Sequence, residues 1–299
     1  MKKKLLVGVI TFVVLTACLY ANTIKSTKYE NKVAVLEYHH IDPEESEFTI
    51  SPERFSDQLN ALKEQNFHVI SMEDFVLFLR NQKPVPPKAV VITFDDGYES
   101  FYKYAYPELK KQGMSATNFL IVGSVDKTEE TPPFMTWDEI MQMHEQGFSF
   151  YSHTFDSHDF REGNNGKQVS PVTNPIYLDK EGRLETENEY KQRIQTDLLH
   201  AQEVLHDRLG DPFSLLCLPH GRYTSKSIDY AKTAGIEYFI TGDYGMNASG
   251  QILIDRISAG VPTLTGKQLV QKIYWENTWI GAAEDLAKNI VLKIRYTFF

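Results

Sequence analysis

The chain has 299 residues, 42% of them apolar and 24% charged, which is enough for a sizeable core and too apolar for global disorder. A net charge of −9 lacks the basic footprint of a nucleic-acid or phosphate-coat binder. Two cysteines exclude a disulfide-dense scaffold, and at about 150 residues per domain the length allows two domains or one α/β barrel.

Lys2, Lys3 and Lys4 precede a nearly unbroken apolar run from Leu5 to Leu15, the pattern of an export signal. The run is shorter than the roughly 20 residues a spanning helix needs. Leu15-Thr16-Ala17-Cys18 is similar to a bacterial lipobox. That similarity implies a signal peptide over residues 1–17, cleavage before Cys18 and a lipid on its sulfur. An ordinary signal or an uncleaved anchor is the alternative. A diacyl anchor supplies the two chains that stable attachment requires, and would hold the protein at the outer face of the cell membrane. Residues 18–31 are polar, without a clear period, and read as a tether.

The remainder alternates short β-branched runs with helical patterns. Val33 to Tyr38 reads as a first strand. Ser51-Pro52 then opens a helix, a cap followed by Pro at the first helical position. Val69-Ile70 is a short strand, with a helix capped by Ser71 behind it. Ala89 to Phe94 is continuously apolar, as in strands buried on both faces. Tyr102 to Gln112 is helical, Ser115 to Ile121 a strand, and Thr136 to Glu139 a capping box. Phe148 to Tyr151, Leu215 to Leu218 and Tyr238 to Thr241 are further strands. This alternation predicts parallel strands: an α/β fold, an incomplete or distorted (β/α) barrel of about seven units over residues 32–264. Residues 159–185 break the rhythm, being rich in Gly, Asn, Pro and charge, with a small hairpin from Ile176 to Leu184. They read either as a rim insertion beside an active site or as a plain surface loop. In the tail, 265–299, Glu284 to Ile290 looks helical. Leu292, Ile294, Tyr296 and Phe298 then alternate with polar residues, which predicts an edge strand in preference to a lipid-surface segment.

The strand Ala89–Phe94 runs into Asp95-Asp96-Gly97. Side chains alternate across a strand, so both carboxylates reach one site only where the strand ends and the chain turns. Strand C-termini are where barrel active sites sit. The plainer alternative is one aspartate capping the next helix. A second cluster, His153-Thr154-Phe155-Asp156-Ser157-His158, follows the strand ending at Tyr151. Five residues apart on a helix, the two rings would not share a face, but a loop can fold both onto one ion. Two histidines, one carboxylate and an open position make a catalytic zinc arrangement. An isolated pair of this spacing is ordinarily two solvent-facing histidines; the case rests on the combination with Asp95-Asp96.

Thr93-Phe94-Asp95-Asp96-Gly97 resembles the first motif of the carbohydrate esterase family 4 polysaccharide deacetylases (NodB-like domain), and His153 to His158 resembles their metal-binding motif. The usual spacing there is H-x3-H. The H-x4-H here, with Leu36-Glu37-Tyr38-His39-His40, looks like the branch that deacetylates poly-β-1,6-N-acetylglucosamine in biofilms. The resemblance covers roughly Val33 to Ile257. It implies a hydrolase with one divalent ion, zinc before cobalt or nickel, held by Asp96, His153 and His158. It also implies Asp95 as general base and His39 as general acid. Leu218-Pro219-His220-Gly221 would wall a substrate groove. Tyr98 lies near a motif end, where an aromatic face can stack on a sugar ring, with core packing as the alternative.

Two departures stand out. The family's third motif begins with Arg, where this chain has Leu216-Cys217. The family's late acidic His is absent, since no His follows His220. Without a replacement acid, the loss would be about 10²–10⁴-fold; His39 is the candidate. Arg256 is the candidate to replace the missing Arg and orient Asp95, with a salt bridge near Asp255 as the alternative. The expected function is removal of acetyl groups from an extracellular N-acetylglucosamine polymer of biofilm. Peptidoglycan or chitin oligomers are the other substrates weighed. A non-catalytic glycan-binding lipoprotein and a glycosidase using Asp95 are the other classes. No protein partner follows from the sequence.

Overall fold

The computed structural model describes residues 29–210 and 213–298. The expected signal peptide, the lipobox with Cys18 and most of the tether lie outside the described residues. Seven parallel strands form the core: β1 (Val33–Tyr38), β2 (Ala89–Phe94), β3 (Thr117–Leu120), β4 (Ser149–Ser152), β5 (Leu215–Cys217), β6 (Tyr238–Tyr244) and β7 (Leu253–Ser258). Their order is β1-β7-β6-β5-β4-β3-β2, and β2 pairs back onto β1 from Val33↔Ala89 to Tyr38↔Phe94. The ring therefore closes: of the two forms the sequence predicts, an incomplete or a distorted barrel, it is the distorted one. An irregularity remains in β6, where the register shifts between Ile240 and Tyr244.

Closure explains the composition of the strands. All six residues of β2 are buried, half against the barrel interior and half against the helices, so no polar alternation survives. The interior is filled by Val33, Val35, Val91, Phe119, Tyr151, Cys217 and Ile240. Helix α2 (Met72–Leu79) adds Met72, Phe75 and Val76 to that cluster near the strand N-termini. The C-terminal ends stay open. Outside, α1 (Pro52–Glu64) buries Phe55, Leu59 and Leu62; its cap is Ser51, whose hydroxyl accepts from Arg54 N. Each such side chain contributes about 1.5–3 kcal/mol on full burial.

The expected helix over 102–112 begins as a π-helical turn, Phe101–Ala105, before α3 (Tyr106–Gln112). The expected strand 115–121 narrows to β3. Next come α4 (Trp137–His144), α5 (Glu187–Leu209) and α6 (Ser225–Thr233). The rim insertion carries two antiparallel hairpins, Arg161–Glu162 with Gln168–Val169 and Tyr177–Leu178 with Arg183–Leu184. Arg193 of α5 holds it, donating to Glu185, Pro171 O and Asn174 O.

The two ends differ from expectation. Tyr29, read as tether, is 1% exposed, and Ala34 N donates to its hydroxyl. The folded unit thus starts before residue 32. The boundary at 264 does not separate a tail either. Helix α7 (Gly266–Glu276) buries Leu269, Val270 and Ile273 in the same outer cluster as Phe55 and Leu59. The predicted edge strand is instead the end of a helix, α8 (Trp279–Phe298). Leu286, Ile290 and Ile294 repeat at helical spacing, and that period, with a Lys288–Glu284 pair at i,i+4, outweighs the short alternating run.

Candidate active site

The mouth of the barrel is built from strand ends. After β2, Asp95 N donates to Tyr38 O, which keeps Asp95 in line with the strand and buried at 2%. Asp96 then takes φ +74° and Gly97 φ +88°, left-handed backbone that turns the chain and brings the second carboxylate to the same mouth. At Gly97 a Cβ would sit 2.9 Å from Leu120 Cδ2, so a side chain there would have to displace that leucine as well as adopt left-handed backbone.

His153 follows β4 and is also buried, at 2%. Its Nδ1–H donates to the Cys217 carbonyl at 2.8 Å, which leaves Nε2 as the acceptor nitrogen. That Nε2 is 3.5 Å from Asp96 Oδ1, and His158 Nε2 is 3.3 Å from the same oxygen. The loop between the histidines is held by Asp197 of α5, which accepts from Phe155 N, Asp156 N and Ser157 Oγ. One ligand atom from each of Asp96, His153 and His158 lies within 4.8 Å of the others. Two nitrogens and one oxygen, with a carbonyl fixing one ring, fit a divalent ion with an open position.

Asp95 does not belong to that trio. Its Oδ1 accepts from Arg256 Nη1 at 2.8 Å, its Oδ2 is 3.4 Å from Cys217 Sγ, and His39 Nε2 is 3.8 Å away. Arg256 comes from β7 and is 3% exposed. Its other contacts are Glu37 Oε1 at 2.7 Å and Thr241 O at 3.2 Å; Asp255 is not among its partners. Burial pushes the Asp95 carboxyl up, yet Arg256, then His153 and His39, hold it below the ordinary value. Burial likewise works against Asp96, and its histidine neighbours bring it down. Burial and then His158 push His153 down to about 4, so that ring is neutral near pH 7.

These groups open onto a groove of about 980 Å³ whose lining includes His39, His40, Tyr98, His220 and Gly221. Pro219, expected in the groove wall, is buried in its turn instead. His220 adopts φ +57°, its Nε2 is 3.0 Å from His158 O, and it stacks on Phe160 at 4.2 Å. Gly221 meets Gly242 backbone to backbone: a Cβ on Gly221 would lie 2.4 Å from Gly242 Cα.

Sequence reasoning did not single out Glu37, Cys217 and Asp197. Glu37 left a signal, as the one acid in an otherwise apolar strand. Cys217 meets the site twice, through its carbonyl on His153 and its thiol on Asp95, and a lone cysteine in an apolar strand signals neither.

The polysaccharide deacetylase family matches residues 82–239 of the chain. This chain belongs to that family. Poly-β-1,6-N-acetyl-D-glucosamine N-deacetylase of Escherichia coli (strain K12) is 28% identical over 262 residues, 81% of this chain and 38% of that protein. The chain thus spans well under half the length of that relative. The protein of the same name from Staphylococcus aureus (strain MRSA252) is 26% identical over 234 residues, 72% of this chain and 73% of its own. Among solved structures, a de-N-acetylase from Aggregatibacter actinomycetemcomitans superposes with a TM-score of 0.73 at 26% identity, over 81% of this chain and 99% of that one. In this deacetylase-family barrel, His153→Ala is expected to cut bound metal by at least about tenfold, since loss of a single outer partner of a metal ligand already costs 10–100-fold. Elemental analysis showing one ion per chain in the variant would remove His153 from the ligand set.

Proposed function

We propose that the chain is a metal-dependent N-deacetylase that hydrolyses the acetamide of N-acetylglucosamine residues in a polymer, poly-β-1,6-N-acetylglucosamine foremost. The observation that carries this reading is the division of two adjacent carboxylates. Asp96 faces the two histidines, while Asp95 stands beside Arg256 and His39. One aspartate is therefore free to take a proton. A divalent ion held by Asp96, His153 and His158 would polarise the amide carbonyl and acidify the attacking water.

Asp95 removes a proton from that water as its oxygen adds to the carbonyl carbon. The C–N bond then breaks, and His39 delivers a proton to the departing sugar nitrogen, which leaves poorly as an anion. The products are acetate and a glucosamine residue. A glycosidase would pair Asp95 with a second carboxylate across the scissile bond and would have no use for two histidines converging on Asp96. The linkage is favoured by the H-x4-H spacing and by the names of two relatives. We also propose export and a lipid anchor on Cys18, supported by the lipobox. A diacylglyceryl mass on the N-terminal peptide from membrane fractions tests that point, and an unmodified thiol there would refute it.

The decisive measurement is acetate release from a β-1,6-linked N-acetylglucosamine oligomer, with and without chelator. Chelator-sensitive release is expected. Release that survives chelation, or none from a folded, metal-replete protein, would overturn this assignment.

A further inference from the structure

The outer side of α8 carries a strip of exposed apolar residues, edged by Lys293, which pairs with Asp243. At roughly 100° per residue, Trp279, Leu286, Ile290 and Ile294 fall within about a quarter of the helix circumference, with Val291 beside them. All five are exposed, from 51% to 64%. Scattered exposed apolar residues are ordinary on a soluble protein, but a contiguous strip marks a contact surface. The opposite side of α8 is committed to the barrel. Asp285 is buried there, and Asn289 accepts from Tyr244 N and donates to Tyr244 O. Leu292 reaches the groove.

We infer that this strip is a membrane-contact surface that lies in the face of a phospholipid bilayer. Among the described residues no helix is long and apolar enough to cross a membrane. A helix with one apolar face and tryptophan at its end has the design of an interfacial element. The choice of occupant rests on where the chain enters the fold, together with the lipid-anchor reading of Cys18. Tyr29 stacks edge-on against Phe67, and Phe67 meets Tyr274 of α7 at 5.5 Å. The next residue, Trp275, is 43% exposed, and α8 starts shortly after it. The step from Cys18 to Tyr29 spans at most about 40 Å. An anchored chain therefore enters the barrel beside the start of the strip. Docking by α8 would lay the barrel on its side and hold the groove, through Leu292, within about one helix diameter (about 10 Å) of the lipid.

The test uses the chain from Leu19 onward, which lacks the anchor and retains every described residue. It is mixed with vesicles of phosphatidylglycerol and phosphatidylcholine; co-sedimentation and tryptophan emission are read. Binding with a blue shift is expected. The double variant Leu286→Glu, Ile290→Glu is expected to lower the bound fraction at least about tenfold with an unchanged thermal midpoint. Failure of the parent chain to bind vesicles, or equal binding by the variant, would overturn the inference. So would a dimer by light scattering that the variant dissociates, since a second copy would then cover the strip. None of these readouts depends on deacetylation.

Discussion

Asp95→Asn is expected to lower kcat by about 10²–10⁴-fold, or some 3–5 kcal/mol, without changing metal content. The substitution preserves shape and one carbonyl oxygen, so Arg256 Nη1, now 2.8 Å from Asp95 Oδ1, keeps an acceptor. What disappears is the basic oxygen. The carboxyl is held below its ordinary value by Arg256 against the opposing effect of burial, so the wild-type group is ionised at neutral pH. An amide cannot take the proton of the attacking water. Asp96→Asn is the informative contrast. Its carboxylate lies 3.3–3.5 Å from both histidines, so that variant should lose metal and turnover together. Elemental analysis with single-turnover acetate release separates the two. Asp95→Asn activity within tenfold of wild type would remove Asp95 as the base.

Much of this site could be read before any coordinates. The strand Ala89–Phe94 matches its expected bounds because a six-residue apolar run followed by Asp-Asp-Gly leaves little choice: the run must be buried, and the acids must sit where it ends. Ser51, Ser71 and Thr136 cap helices as local pattern predicts, since a cap depends only on neighbours within a turn. The pairing of Arg256 with Glu37 is different in kind. Nothing near either residue encodes it. It exists because β1 and β7 become neighbours on closing the ring, with Glu37 opposite Ser258 in the register. Asp197 was hidden for a similar reason: on a helix it looks like one more solvated acid, and only the loop folding onto it makes it a clamp. The tail misled because residues 292–298 fit two periods at once, and the longer window decides between them.

Arg256→Met should have the second large effect, on stability and pH dependence together. Glu37 and Asp95 each contact the guanidinium, at 2.7 and 2.8 Å, and its side chain is 3% exposed. Removing one member of a buried ion cluster strands the others, typically at about 3–5 kcal/mol. The sign with pH follows from Asp95. In the wild type its folded pKa lies below the ordinary value, so its stabilising contribution is present above about pH 4 and is lost as pH falls through the lowered folded value. Without Arg256, burial is less opposed and the folded pKa rises. Asp95 then costs stability as pH rises through that value. The gap between wild type and variant in urea unfolding should therefore be widest near pH 7 and narrow below about pH 4. The acid limb of kcat/KM should also move upward by about one pH unit or more, the size of shift that an adjacent opposite charge produces. Arg256→Lys keeps the charge but not the fork that reaches Asp95 and Glu37 together. It should recover most of the acid limb while leaving part of the stability loss. A variant whose acid limb coincides with that of the wild type would show that Arg256 only fills space, and the orientation of Asp95 would then have to come from Cys217 and His39.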